Sequence, residues 1–161
     1  MAIKVFISHH SSDVIEARRI RDYLLSRHSI ASYLDAIDPF IGRPGEELAD
    51  YLRGVMANCT DLLAVVSPST KASQWVPWEI GVASEREMPL ASYLSNVTII
   101  PEFLQSWPRL HSTADLDKYA TASRASESAV LRKRATTLDE SASLRAGRVT
   151  FYQDIRRLLN Q

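Results

Sequence analysis

Residues 74–81 read QWVPWEIG, which sets one carboxylate, Glu79, beside two indoles, Trp75 and Trp78. A carboxylate fixed against aromatic faces can stabilise positive charge that develops as a bond breaks, and the indoles offer faces on which flat rings stack. Breaking an N-glycosidic bond needs little more, because its transition state resembles an oxocarbenium ion. If the leaving base already carries positive charge it departs without a strong general acid, so a single glutamate suffices. The plainer alternative is a solvated glutamate early in a helix, where negative charge is favoured, with both indoles in the core. Residues three apart on a helix share a face. The spacing lets both indoles share one face, with Pro77 in the first helical turn, where its missing N–H costs nothing.

Other chemistries lack their residues. There is no GxxxxGK[ST] phosphate loop and no GxGxxG after the first strand. A phospho-acceptor site would need acidic residues where Ser8, His9 and Ser67 stand. No Cys/His set has metal spacing, and the adjacent His9 and His10 diverge in an extended chain, so no metal is expected. No Ser-His-Asp or Cys-His set stands out. Lysine plus arginine equals aspartate plus glutamate at 19 each, which argues against nucleic acid, a partner that demands surplus cations. The single cysteine, Cys59, allows no intrachain disulfide, as in a reducing, cytoplasmic compartment. No stretch approaches the roughly 20 apolar residues of a membrane span, and the first apolar run is too short for a signal peptide.

The elements that must position these residues follow from the hydrophobic pattern. IKVFIS (3–8), IASYLD (30–35), DLLAVVS (61–67) and PLASYL (89–94) read as short buried strands of a parallel sheet. Between the first two, Val14, Ala17, Ile20 and Leu24 mark the apolar face of a helix, with Asp13 and Glu16 spaced for a capping box. A Pro/Gly-rich loop, AIDPFIGRPG, precedes a second helix whose apolar face carries Leu48, Leu52, Val55, Met56 and Cys59. A third helix follows Pro77. Beyond residue 100 the pattern gives short helices in IPEFLQSW and TADLDKYA, a poorly specified polar helical stretch over 126–148, and a final helix over 149–160. Strands alternating with helices predict a sheet wound on both faces. Its ligand crevice would lie beyond the carboxyl ends of the strands, at Ser8 to Ser11, Asp35 to Gly45, and Ser67 to Trp75.

KVFISHHSSD (4–13), YLDAIDPFIGRPGEEL (33–48) and DLLAVVSPSTKASQWVPWEIGVA (61–83) together resemble the strand-one box, the BB loop and the WxxxE segment of a Toll/interleukin-1 receptor (TIR) domain, in particular the bacterial stand-alone, enzymatic kind. The likeness covers residues 3–100 in register and 101–161 more loosely, as one domain over 1–161. It implies a flavodoxin-like α/β fold with a five-stranded parallel sheet and helices on both faces. It implies cleavage of NAD+ into nicotinamide and linear, cyclic or conjugated ADP-ribose, with no cofactor besides that substrate. Glu79 would be catalytic, Trp75 would line the pocket and Trp78 would pack in the core. Ser8, His9, Ser11, Asp38 and Arg43 would bind substrate, with Ser67 ending a strand in the same crevice. Phe40, Ile41, Gly42, Pro44 and Gly45 would form the loop through which TIR domains associate as dimers or filaments. Bacterial members often serve anti-phage defence, making a nucleotide signal for a separate effector protein. The chain departs from the pattern at Ser11, where some members carry a basic residue, and at Ile37, where some carry glutamate. His9 and Arg43 are then left as phosphate contacts. Two other readings stand beside the enzyme: a TIR–TIR scaffold without chemistry, and a nucleoside deoxyribosyltransferase-like enzyme with a glutamate nucleophile.

Overall fold

The third strand shows most directly how the chain is layered. In this computed structural model, which describes residues 2–34, 45–96 and 99–161, all six residues of β3 (Asp61–Val66) are buried. Leu63 and Val65 join one apolar cluster, while Leu62, Ala64 and Val66 join another. Side chains alternate across a strand, so this division places β3 between two cores. The strands β1 (Lys4–Ser8), β2 (Ala31–Leu34), β3, β4 (Leu90–Leu94) and β5 (Arg109–Leu110) form one sheet in the order β2-β1-β3-β4-β5. Every pairing is parallel.

Helices cover both faces. Against one pack Ala17, Ile20 and Leu24 of α1 (Val14–His28), Leu116, Tyr119 and Ala120 of α4 (Thr113–Arg134), and Phe151 and Ile155 of α5 (Glu140–Leu159). Against the other pack Leu48, Leu52 and Met56 of α2 (Gly45–Met56) and Val76, Ile80 and Ala83 of α3 (Trp75–Glu85). Cys59 is buried, as expected, but α2 ends at Met56, so it packs from the turn after the helix and not from the helix itself. The doubly wound five-stranded fold expected from the sequence is therefore present. No described helix is long and apolar enough to cross a membrane.

Chain order fixes where the crevice falls. From β1 the chain steps outward to β2, then returns to place β3 on the other side of β1. The connections on either side of that gap lead to opposite faces, so the crevice opens beyond the carboxyl ends of β1 and β3. Ser8 ends β1 opposite Ala64, and Ser67 directly follows β3.

Four details depart from the sequence reading. The fifth strand is the pair Arg109–Leu110, too short for a periodicity to register. The polar stretch after residue 112 is not broken: α4 runs through 22 residues, with Ser112 capping it by accepting from the backbone N–H of Asp115. The final helix starts at Glu140, not near 149, because Asp139 caps it by accepting from Ala142 N–H. The capping box of Asp13 and Glu16 does not form: Asp13 occupies the N-cap without a side-chain cap bond. Its carboxylate is engaged elsewhere.

The α4–α5 hairpin depends on one missing side chain. A Cβ on Gly147 would run into Val130 Cγ2 and crowd Ser126 Oγ on α4, so the two helices meet there backbone to side chain. Gly147→Ala gains about 1 kcal/mol of helix propensity but overpacks the hairpin by about 1–3 kcal/mol. A lower urea midpoint than wild type is the expected result, and an unchanged or raised midpoint would show the contact to be slack.

Candidate active site

Glu79 sits just beyond the first turn of α3, on the side that faces the sheet, and has no exposed surface. The solvated-helix reading of this residue is thereby excluded. Its Oε2 accepts a hydrogen bond from Ser8 Oγ at the carboxyl end of β1. Ser8 is itself fully buried. Burying a carboxylate is costly unless hydrogen bonds compensate, so a serine in this register gives the carboxylate both a partner and a fixed direction.

A second pair lies alongside. Ser67 Oγ donates to Asp13 Oδ2 at 2.7 Å, tying the loop after β1 to the loop after β3. Ser67 also caps a short 3-10 turn (Pro68–Ala72), with its Oγ accepting from Ser69 N–H at 3.1 Å and its own N–H donating to Thr70 Oγ1 at 2.9 Å. This capping box aims the chain from β3 into α3 and so sets the height at which Glu79 meets Ser8. Asp13 is the site residue that sequence reasoning misses. Its spacing reads as a helix cap, and its place after the first strand at the crevice is the signal that it has another use.

The two histidines part as their adjacency predicts. His9 is buried, with Nδ1 3.1 Å from the carbonyl oxygen of Ile7. A carbonyl only accepts, so Nδ1 carries the proton and Nε2 is the nitrogen left to accept in the neutral ring. His10 faces outward and caps the turn Ser11–Asp13, its Nδ1 accepting from Ser12 N–H at 3.2 Å. Ser11 is exposed and makes no described hydrogen bond with the other site residues. Among the described residues no group of histidine, cysteine, aspartate and glutamate is arranged to hold a metal ion.

Trp75 and Trp78 do not divide into pocket and core. Both are half-buried, their rings meet edge to face with centroids 5.6 Å apart, and both line a cleft of about 420 Å³ between α2 and α3. The Arg53 guanidinium lies 5.5 Å from the centre of the Trp78 ring, in the range of a cation–π contact. The reason is local: with α3 starting at Trp75, both indoles fall in its first turn, above the edge of the core. Glu79 is not among the residues lining that cleft. Trp75 stands one helical turn before Glu79 and Trp78 directly precedes it, so the aromatic surface and the carboxylate lie on different sides of α3. Gly45, the first residue of α2, borders the same cleft. Asp38, Phe40, Ile41, Gly42, Arg43 and Pro44 lie outside the described residues.

The site is therefore a buried glutamate at the switch of a five-stranded parallel sheet, on the same helix as a half-buried tryptophan pair. The model of the TIR domain family matches residues 5–133. The chain belongs to the TIR domain family. No curated protein matches its sequence. Among solved structures, the crystal structure of the interleukin-17 receptor B SEFIR domain is similar in fold, with a TM-score of 0.52 at 13% identity over 74% of this chain and 93% of that one. At that identity the likeness speaks for the fold alone.

The Ser8–Glu79 contact makes a stability prediction that is independent of any activity. Removing the hydroxyl in Ser8→Ala withdraws a donor from a buried carboxylate and should cost about 1–3 kcal/mol. Glu79→Gln removes the buried charge but keeps an oxygen to accept from Ser8, so it should match or exceed the wild-type melting temperature. Thermal unfolding of the two variants checks both signs. A Glu79→Gln protein markedly less stable than wild type would mean that the charge itself holds the fold.

Proposed function

We propose that this TIR domain cleaves the bond between nicotinamide and ribose in NAD+, as a glycohydrolase or an ADP-ribosyl cyclase. The observation that carries the reading is Glu79: fully buried, hydrogen-bonded by Ser8, and placed at the sheet's switch point. A carboxylate kept from water interacts strongly with charge that develops beside it. As the C1′–N bond breaks, its electron pair passes to the pyridinium nitrogen and nicotinamide leaves neutral. The positive charge left on the ribose is what Glu79 stabilises. Water then adds to C1′ and loses a proton, giving ADP-ribose, or a nucleophilic nitrogen of the adenine adds instead and closes a ring. Ser8 holds the carboxylate in place, Asp13 and Ser67 hold the two loops at their spacing, and the Trp75–Trp78 surface offers a face for a flat base. NAD+ is substrate here, and no resident cofactor enters.

Complete burial also sets a condition. Glu79 has no exposed surface in this arrangement, so substrate reaches it only when α3 and the neighbouring loops part. Contact between TIR domains is the natural trigger. In this reading the ADP-ribose product acts as a signal for a separate effector, in the anti-phage defence of a bacterial cytoplasm. The same burial favours a second reading, a TIR–TIR scaffold in which Glu79 is a packed structural acid and the α2–α3 cleft is the contact surface. A deoxyribosyltransferase-like activity on nucleosides would use the same glutamate as nucleophile.

Mass spectrometry of NAD+ incubated with concentrated protein separates these readings. Nicotinamide and a linear or cyclic ADP-ribose are expected from wild type, and Glu79→Gln should lower the rate at least about a hundredfold, the scale of losing one electrostatic stabiliser, with its melting temperature retained. Equal turnover by the variant sinks the assignment. Untouched NAD+ in a protein that self-associates supports the scaffold, and cleavage of deoxynucleosides in its place supports the transferase.

A further inference from the structure

At the other end of the sheet, a cavity of about 280 Å³ lies between the amino ends of β1, β3 and β4 and the α4–α5 hairpin. Apolar walls come from Ile3, Met56, Met88, Val130 and Leu144. Its lining also includes Asp61, the first residue of β3, which is 3% exposed. The groups that reach this carboxylate are neutral hydroxyls: Ser123 Oγ at 2.6 Å and Tyr119 OH at 3.4 Å, both on Oδ2, and the hydroxyl of Thr60. No described cation forms an ion pair with it.

Two other acids of the lining are already held by arginines. Glu87 is bridged by Arg145 and Arg148, the latter at 2.7 Å. Glu140 is held by Arg134, with Nε at 3.0 Å. Asp61 differs from both in its depth and in its neutral partners. Burial raises its pKa, the hydrogen bonds from Ser123, Thr60 and Tyr119 oppose the rise, and repulsion from the nearby Glu127 carboxyl adds to it. Cys59 also borders the cavity, but burial pushes its thiol up to about 11, so it is a neutral part of the wall and no nucleophile. A mostly apolar cavity with a few convergent polar groups is the usual form of a small-molecule site. Here the deepest charge is negative, and the size is at the small end of the range.

We propose that this cavity binds a small organic amine, its ammonium on Asp61 and its apolar body against Met56, Met88 and Val130. The proposal is independent of any activity at Glu79. An ammonium supplies a charge partner that no described cation gives Asp61, and a ligand carboxylate placed on Asp61 would meet repulsion instead; of the two arginines that line the cavity, Arg134 is engaged by Glu140 and Arg86 stands at the end of α3.

Phenethylamine and phenylacetate are matched probes that differ chiefly in the sign of the charge. Calorimetric titration of the full chain should detect phenethylamine and not phenylacetate. Asp61→Asn retains an oxygen to accept from Ser123 and Tyr119 while removing a buried charge, so it should fold, and should weaken phenethylamine at least about tenfold, as loss of one member of a buried charge pair does. Amide chemical shifts of the wild-type protein give a readout that needs no variant: they should move at Asp61, Arg86, Ser123 and Ser126, and not at Ser8 or Glu79. Equal binding of the two probes, no binding of the amine at millimolar concentration, undiminished binding by Asp61→Asn, or shifts confined to the other end of the sheet would each overturn the proposal.

Discussion

The hydrogen bond from Ser8 to Glu79 is the constraint to which the rest of the site answers. A fully buried carboxylate at the end of a parallel sheet is a place where folding gives up free energy. Everything around it is arranged so that the loss is limited. β1 must end at Ser8 in register with β3, or the hydroxyl would miss the carboxylate. Ser67 must turn the chain through its capping box, or α3 would start at a different height. Asp13 must give up its role as a helix cap to join the two loops through Ser67. The Ser8–Glu79 contact thus forms only where the β1–β3 register, the Ser67 capping box and the Ser67–Asp13 bond are all in place.

That dependence explains why the apolar core alone does not define the site. The two clusters on either side of the sheet would accept many volume-conserving exchanges, since β3 is buried on both faces by side chains of ordinary shape. The serines at the strand ends are different. Ser8 and Ser67 are small, buried and polar, and each satisfies a carboxylate from another segment of the chain. Replacing either by an apolar residue of similar size would leave an acid without its donor, which is worse than having neither.

The sequence makes the sheet legible and parts of the site illegible, for separate physical reasons. β1, β3 and β4 are continuous apolar runs, which strands buried on both faces produce, and the helices between them carry 3.6-residue periodicity. β5 escapes because two residues hold no period. The join of 113–134 into one helix escapes because its buried face is built from Ala122, Ser123, Ser126 and Ala129, small residues that do not read as a hydrophobic stripe. Glu79 is legible through its spacing from Trp75, yet its burial is not: nothing in a string of letters says which side of the first turn faces the sheet. The division of the tryptophans fails on the same point, since both indoles stand in that turn. Asp13 misleads because Asp followed by Glu three residues later fits a capping box whether or not one forms, and only the position of Ser67 across the crevice decides.

The two ends of the sheet answer one problem in two ways. At each end a buried carboxylate accepts from a serine hydroxyl, Glu79 from Ser8 and Asp61 from Ser123. At Asp61 the hydroxyls lower the cost of burial without cancelling the charge, whereas an arginine would cancel it. At the carboxyl end the loops after β1 and β3 are joined through the Ser67–Asp13 hydrogen bond. At the amino end the cavity is walled by the turns that lead into β1, β3 and β4, by Asp61, by the end of α2 and by the α4–α5 hairpin. The helix α3 reaches both ends, with Glu79 near its start and its C-cap, Arg86, among the residues that line the cavity.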